Sequence, residues 1–149
     1  GKGIGIKIYG SPKMKLHAET LDQLSPIAAM VQDALVPPGD ISFLREEGSF
    51  AMALNRFCWE TAEQENVPYE RVLTGLRFDT VTRAQFRGID RRASGSFLSL
   101  LTIVFDEDHV VLHFGGDGAI RLDIERLLCT MKDLSEPWPT HMKPVHDPN

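Results

Sequence analysis

The sequence predicts an α+β domain: a meandering antiparallel sheet, or partly open barrel, of about six to seven strands, with one helix before it and one after. Three observations carry that prediction. Residues Leu24, Ile27, Ala28, Val31 and Leu35 recur at helical spacing. From Ile41 to Ile124 the apolar residues instead alternate with polar ones, with turn chemistry between the runs. Finally, Leu127, Leu128, Met131 and Leu134 return to a helical pattern.

The elements follow in order. Leu16 to Glu19 is a short strand candidate. The helix after it has two possible starts, because Thr20 with Gln23 forms a capping-box pattern while Ser25 followed by Pro26 suits N-cap and N1. A start at Ser25 is preferred, since Pro26 lacks a donor inside a helix begun at Thr20. Pro37, Pro38 and Gly39 end it. Ile41 to Arg45 and Phe50 to Trp59 flank the polar segment 46–49, which predicts a hairpin. After a solvated acidic loop from Glu60 to Asn66, Arg71 to Gly88 is expected as one strand. Phe78, Thr80, Thr82, Ala84 and Phe86 lie on one face of it, and Arg77, Asp79, Val81, Arg83, Gln85 and Arg87 on the other. Phe97 to Phe105 is apolar on both faces, as in a central strand. Two alternating runs, Val110–Phe114 and Ile120–Ile124, are joined by a Gly115–Gly118 turn and complete a three-stranded meander. A sheet of this kind with a helix over one end resembles the pleckstrin-homology-like architecture.

The domain is expected over residues 14–137, followed by an irregular tail at 138–149 that is rich in proline. Residues 1–13 are set aside as an extension or expression remnant, because Met14 looks like a natural start; Ile4, Ile6 and Ile8 at period-2 spacing leave an edge strand as the alternative. A chain of 149 residues is long enough to fold on one hydrophobic core without staples. Its formal charge of −5 disfavours non-specific binding to nucleic acid or anionic membrane, and no apolar run reaches spanning length. The two cysteines, Cys58 in a strand and Cys129 on the C-terminal helix, are expected as buried free thiols. A cytoplasmic location follows from the lack of a secretory signal.

Four groups of residues could carry chemistry. Asp106, Asp108, His109 and His113 offer metal-ligand types, but histidines four apart on a strand stand about 13 Å apart. A solvated charged turn explains them better. Arg71, Arg77, Arg83, Arg87, Arg91 and Arg92 form a basic set able to meet phosphates, of which Arg77, Arg83 and Arg87 share a strand face. Phe78 and Phe86 fall on the opposite face, which denies the set a stacking platform for single-stranded nucleic acid. The glycine-rich turn 115–118 has no helix after it to bind an anion. Asn55, Arg56 and Glu60 place polar groups in an apolar strand beside Trp59, giving a structural network or an interface anchored on Asn55, Arg56 and Trp59.

Residues 54–60 (LNRFCWE), 71–78 (RVLTGLRF) and 112–122 (LHFGGDGAIRL) together resemble an uncharacterised proteobacterial domain-of-unknown-function family, over about Lys15 to Pro137. The resemblance implies a compact bacterial domain and no activity, substrate or cofactor. The leading expectation is a non-enzymatic interaction module of the bacterial cytoplasm, with no cofactor. Its partner would be a protein or a second copy of the chain, joined through Trp59, Trp138 or a strand edge. Second stands a phosphate-bearing ligand or RNA on Arg77, Arg83 and Arg87, and third a metal-dependent enzyme using Asp106, Asp108 and His109 or His113.

Overall fold

The computed structural model describes residues 14–90, 92 and 96–144. Ile4, Ile6, Ile8 and Arg91 lie outside them. The described chain forms one antiparallel sheet of 11 strands with a single α-helix, in place of the expected six or seven strands between two helices. In chain order the elements are β1 (Lys15–Ala18), α1 (Leu21–Met30), β2 (Ala34–Val36), β3 (Ile41–Leu44), β4 (Ser49–Phe57) and β5 (Glu70–Phe78). They continue with β6 (Val81–Arg87), β7 (Leu98–Asp106), β8 (His109–Phe114), β9 (Ala119–Ile124), β10 (Cys129–Asp133) and β11 (Trp138–Pro139). Along the sheet the order is β1-β10-β5-β4-β2-β7-β8-β9-β6, with β3 beside β4 and β11 beside β5. Among the described residues no helix is long and apolar enough to cross a membrane.

The C-terminal helix is a misreading with an identifiable cause. Leu127 and Met131 are four apart, a separation that suits one face of a helix and equally one face of a strand. The structure takes the strand: Leu127, Cys129, Met131 and Asp133 are buried in alternation, and β10 pairs with β1 on one side and β5 on the other. Cys129 is therefore on a strand. Without that helix the pleckstrin-homology-like arrangement falls, and the sheet stays open.

Helix α1 starts one turn before Ser25. The Thr20 hydroxyl accepts from the Gln23 N–H at 3.2 Å, while the Gln23 side chain accepts from the Glu19 N–H at 2.8 Å, so the capping pattern outweighs the proline. Pro26 sits on the exposed side of the helix. Leu24 and Ile27 face the core. The helix stops at Met30, short of the expected Leu35, because Asp33 turns left-handed (φ 61) and its N–H bonds to Leu100, which launches Ala34–Val36 as β2.

The single strand expected over 71–88 is broken in two by Thr80, whose φ of 58 is rare for a β-branched residue. The break sends β5 and β6 to different neighbours: β5 lies between β4 and β10, whereas β6 pairs with β9 at the end of the sheet. It also reverses the expected face of Val81, which is buried. Strand β7 is internal in the sheet, but its second face is open to solvent, with Val104 46% exposed. The hairpin β3–β4, the turn 115–118 and the meander β7–β8–β9 form as expected. Trp138 and Pro139, from the segment expected to be irregular, pair with Arg71 and Glu70.

The sheet curls round one core. Phe50, Met52 and Leu54 of β4, Leu76 and Phe78 of β5, Leu112 of β8 and Ile120 and Leu122 of β9 are fully or nearly fully buried together. The Phe50 ring of β4 lies 6.4 Å from that of Phe86 on β6, so strands far apart along the sheet meet across the interior. At the start of β6 the Val81 N–H donates to the Gly48 carbonyl at 2.9 Å. Gly48 is held at φ +63, a conformation glycine adopts without strain, and an added Cβ there would stand 3.2 Å from the Val81 oxygen.

Candidate functional site

The polar residues of β4 turn into the protein. Arg56 is 1% exposed and lies in a row of strands with Thr74 on β5 and Asp133 at the end of β10. Its Nε and Nη2 donate to the two Asp133 oxygens at 3.0 and 2.8 Å. Its Nη1 and Nη2 donate to the two Glu60 oxygens at 3.0 and 2.9 Å, and Nη1 also reaches the Phe57 carbonyl at 3.4 Å. Thr74 Oγ1 donates to Asp133 Oδ1 at 2.8 Å. A guanidinium has five N–H donors, and these contacts use all of them. Burial alone pulls the Arg56 pKa down, but its hydrogen bonds to Asp133 and Glu60 more than reverse that and leave it above its ordinary value. Nothing on Arg56 is left to bind a ligand. The network ties β4, β5, β10 and the turn after β4 together.

The neighbours of Arg56 are likewise engaged. Trp59 Nε1 donates to the Gln32 carbonyl at 3.1 Å, and its ring meets Phe57 edge-on at 4.8 Å. The Asn55 carbonyl accepts from Arg71 Nη1 at 3.0 Å, and that guanidinium lies over the Phe57 ring. Cys58 is buried and free, with its thiol pushed up to about 11 by burial and then by the Glu60 charge. Cys129, also buried and free, is pushed up to about 12 by burial.

The acid and histidine set does not converge. Asp106 faces His109 across the β7–β8 turn, and His109 Nδ1 lies 2.9 Å from Asp108 Oδ1. His113 stands four residues further along β8, two pairs away on the same outer face. Among the described residues no group of three or more His, Cys, Asp or Glu side chains gathers within reach of one metal ion.

The arginines separate into two places. Arg77 is on β5 between Ala51 and Thr130, with its Nε 3.2 Å from Asp79 Oδ2. Arg83 and Arg87 are on β6, exposed, and neither makes an ion pair among the described residues. The break at Thr80 is what divides them.

Strand β9 supplies what β5 does not. The registers of β7, β8, β9 and β6 put side chains of the outer face into three rows. Thr102, His113, Ala119 and Arg87 make the first; Val104, Val111, Arg121 and Gln85 the second; Asp106, His109, Asp123 and Arg83 the third. In the first row the short Ala119 side chain stands between His113 and Arg87, leaving a trough whose floor it forms with Val111. The recess is about 420 Å³ and is walled by Arg87, Arg121 and His113. Arg121 is anchored through Nε to Asp123 Oδ1 at 2.9 Å. A cationic, part-apolar face thus lies on a chain of net charge −5.

Arg121, Val111 and Ala119 were not picked out from the sequence. The alternation over 119–124 already sets Arg121 opposite to Ile120 and Leu122, but the pairing of β9 with β6 is a long-range fact with no local signal.

The family described as protein of unknown function (DUF2948) matches residues 14–146. No curated protein and no solved structure matches the chain.

Proposed function

The chain belongs to the DUF2948 family, whose function is unknown, and from its own surface chemistry we propose that it is a non-enzymatic interaction module that docks an acidic protein segment on the outer face of β6, β9 and β8. The observation that carries this reading is the recess walled by Arg87, Arg121 and His113 over Val111 and Ala119. Cations at the wall and methyl groups at the floor match a segment carrying both carboxylates and apolar side chains.

Spacing separates a peptide from a single phosphate. Arg87 and Arg121 are diagonal neighbours across the β6–β9 pair, about 7–8 Å apart at the backbone. Carboxylates on alternate residues of an extended chain are separated by about 7 Å, a pitch these two cations can follow. One phosphate group would need donors converging on a point. RNA binding fits less well, because Phe78 is buried and Phe86 is half-buried against the core, so neither stands out as a stacking platform. The two free thiols agree with the reducing environment of a bacterial cytoplasm, where this reading places the protein.

The test is fluorescence anisotropy with a fluorescein-labelled acidic peptide over a range of salt. Arg87→Glu with Arg121→Glu is expected to abolish binding, while Arg77→Glu, on β5, leaves it intact. Binding that survives the double reversal, or that Arg77→Glu weakens equally, refutes the assignment of the face.

A further inference from the structure

We infer that the acidic segment is the β7–β8 turn of a second copy of the chain, so that two copies close face to face as a two-fold dimer; the inference rests on the face proposed above. That turn carries the chemistry the face calls for. Asp106 and Glu107 are exposed and make no ion pair among the described residues, while Asp108 is engaged by His109 at 2.9 Å. Two residues before Asp106, on the same outer face, stands the exposed Val104, so carboxylates and a branched apolar side chain are presented together. The turn does not reach the recess of its own chain. Asp106 lies in the row of His109, whereas His113 and Arg87 lie two rows away, about 13 Å along the strands. Acids and cations are thus held apart on one face.

A second copy satisfies both ends at once. Val104 and Val111 are cross-strand partners in the middle row, between the acidic turn and the cations. A two-fold axis beside this pair brings the valines of the two copies together and lays each acidic turn toward Arg121 and His113 of the other. Arg121 is prepared to meet it: Nε is taken by Asp123, and its two Nη groups have no partner among the described residues. In such an isologous contact every pairing occurs twice, and association stops at two copies. The other acidic segments belong to other elements. Glu46 and Glu47 are on the β3–β4 turn, and Glu63, in the loop after β4, is held by Lys143 at 2.7 Å. A recess filled by either segment would make a head-to-tail contact, which runs on from copy to copy unless a ring closes it.

The experiment is sedimentation velocity on the full chain across protein concentration and salt, paired with anisotropy of fluorescein-labelled Glu-Val-Thr-Val-Glu. The wild type is expected to form dimers and nothing larger, weakening as salt rises. Asp106→Lys with Glu107→Lys, and separately Arg87→Glu with Arg121→Glu, should each weaken the dimer about tenfold or more, since every contact counts twice. Mixed together, the two reversed proteins should dimerise again, because opposite charges then meet in both contacts. A wild type that stays monomeric, or a dimer that outlasts both reversals, overturns the inference. So does a mixture that stays monomeric although both variants are folded by circular dichroism. The peptide separates the two ideas. A monomeric wild type that binds the peptide, and loses it with Arg87→Glu and Arg121→Glu, leaves the cationic face standing without the second copy. A chain that neither dimerises nor binds the peptide refutes both.

Discussion

Arg56 and Asp133, 77 residues apart in the chain, meet in a two-point ion pair, Nε to Oδ1 at 3.0 Å and Nη2 to Oδ2 at 2.8 Å, in a place from which solvent is almost wholly excluded. Such a pair is costly to break from one side. Asp133→Ala would leave Arg56 with a buried charge answered only by Glu60 and leave the Thr74 hydroxyl only the Val72 carbonyl at 3.4 Å, and we expect a loss of about 3–5 kcal/mol in urea unfolding. Arg56→Met combined with Asp133→Leu removes both charges and is expected to recover most of that loss. A double variant as unstable as the single one would contradict the reading of the pair as a structural tie.

The cysteines give a pH prediction. With thiols raised to about 11 and about 12, Cys58 and Cys129 stay protonated in the native protein well above pH 8. Neither should react with a disulfide reagent at pH 8 until the protein is unfolded, when both should. The sign for stability follows from linkage. The unfolded chain releases these protons near the ordinary cysteine value of 9.0 while the folded chain holds them. Stability is therefore fully present below about pH 9 and falls between about pH 9 and 11 by about 1.4 kcal/mol per pH unit for each thiol. Cys58→Ala with Cys129→Ala should flatten that fall.

Helix α1 sets a cap against a proline. Thr20→Ala removes the acceptor for the Gln23 N–H and should cost about 1 kcal/mol. Pro26→Ala restores a donor inside the helix at an exposed position and should raise the melting temperature. A fall in melting temperature with Pro26→Ala would mean that the proline's restriction of the unfolded chain outweighs the missing hydrogen bond.

What the sequence revealed was local. The β3–β4 hairpin and the β7–β8–β9 meander follow from alternation and turn chemistry that neighbouring residues carry themselves. What it concealed depended on distant partners. Leu127 and Met131 satisfy a helix and a strand alike, and β1 with β5 decides between them. Thr80 carries no turn signature, yet its left-handed backbone parts Arg77 from Arg83 and Arg87. Residues 54–60, read as a structural network or an interface, include Arg56, whose partner Asp133 lay in the segment read as a helix. The basic face was half visible: Arg83 and Arg87 were in view, and Arg121 and His113 joined them only through the register of β8, β9 and β6.

The central claim, that the outer face of β6, β9 and β8 is where the protein binds, is tested most directly by a nitrogen-15 NMR titration with an acidic peptide such as Glu-Val-Thr-Val-Glu. The account predicts amide shifts concentrated at Arg83 to Arg87, His113 and Ala119 to Arg121, weakening as salt is raised. Shifts centred instead around Trp59, Tyr69 and Trp138, or no shifts at all at low salt, would contradict it.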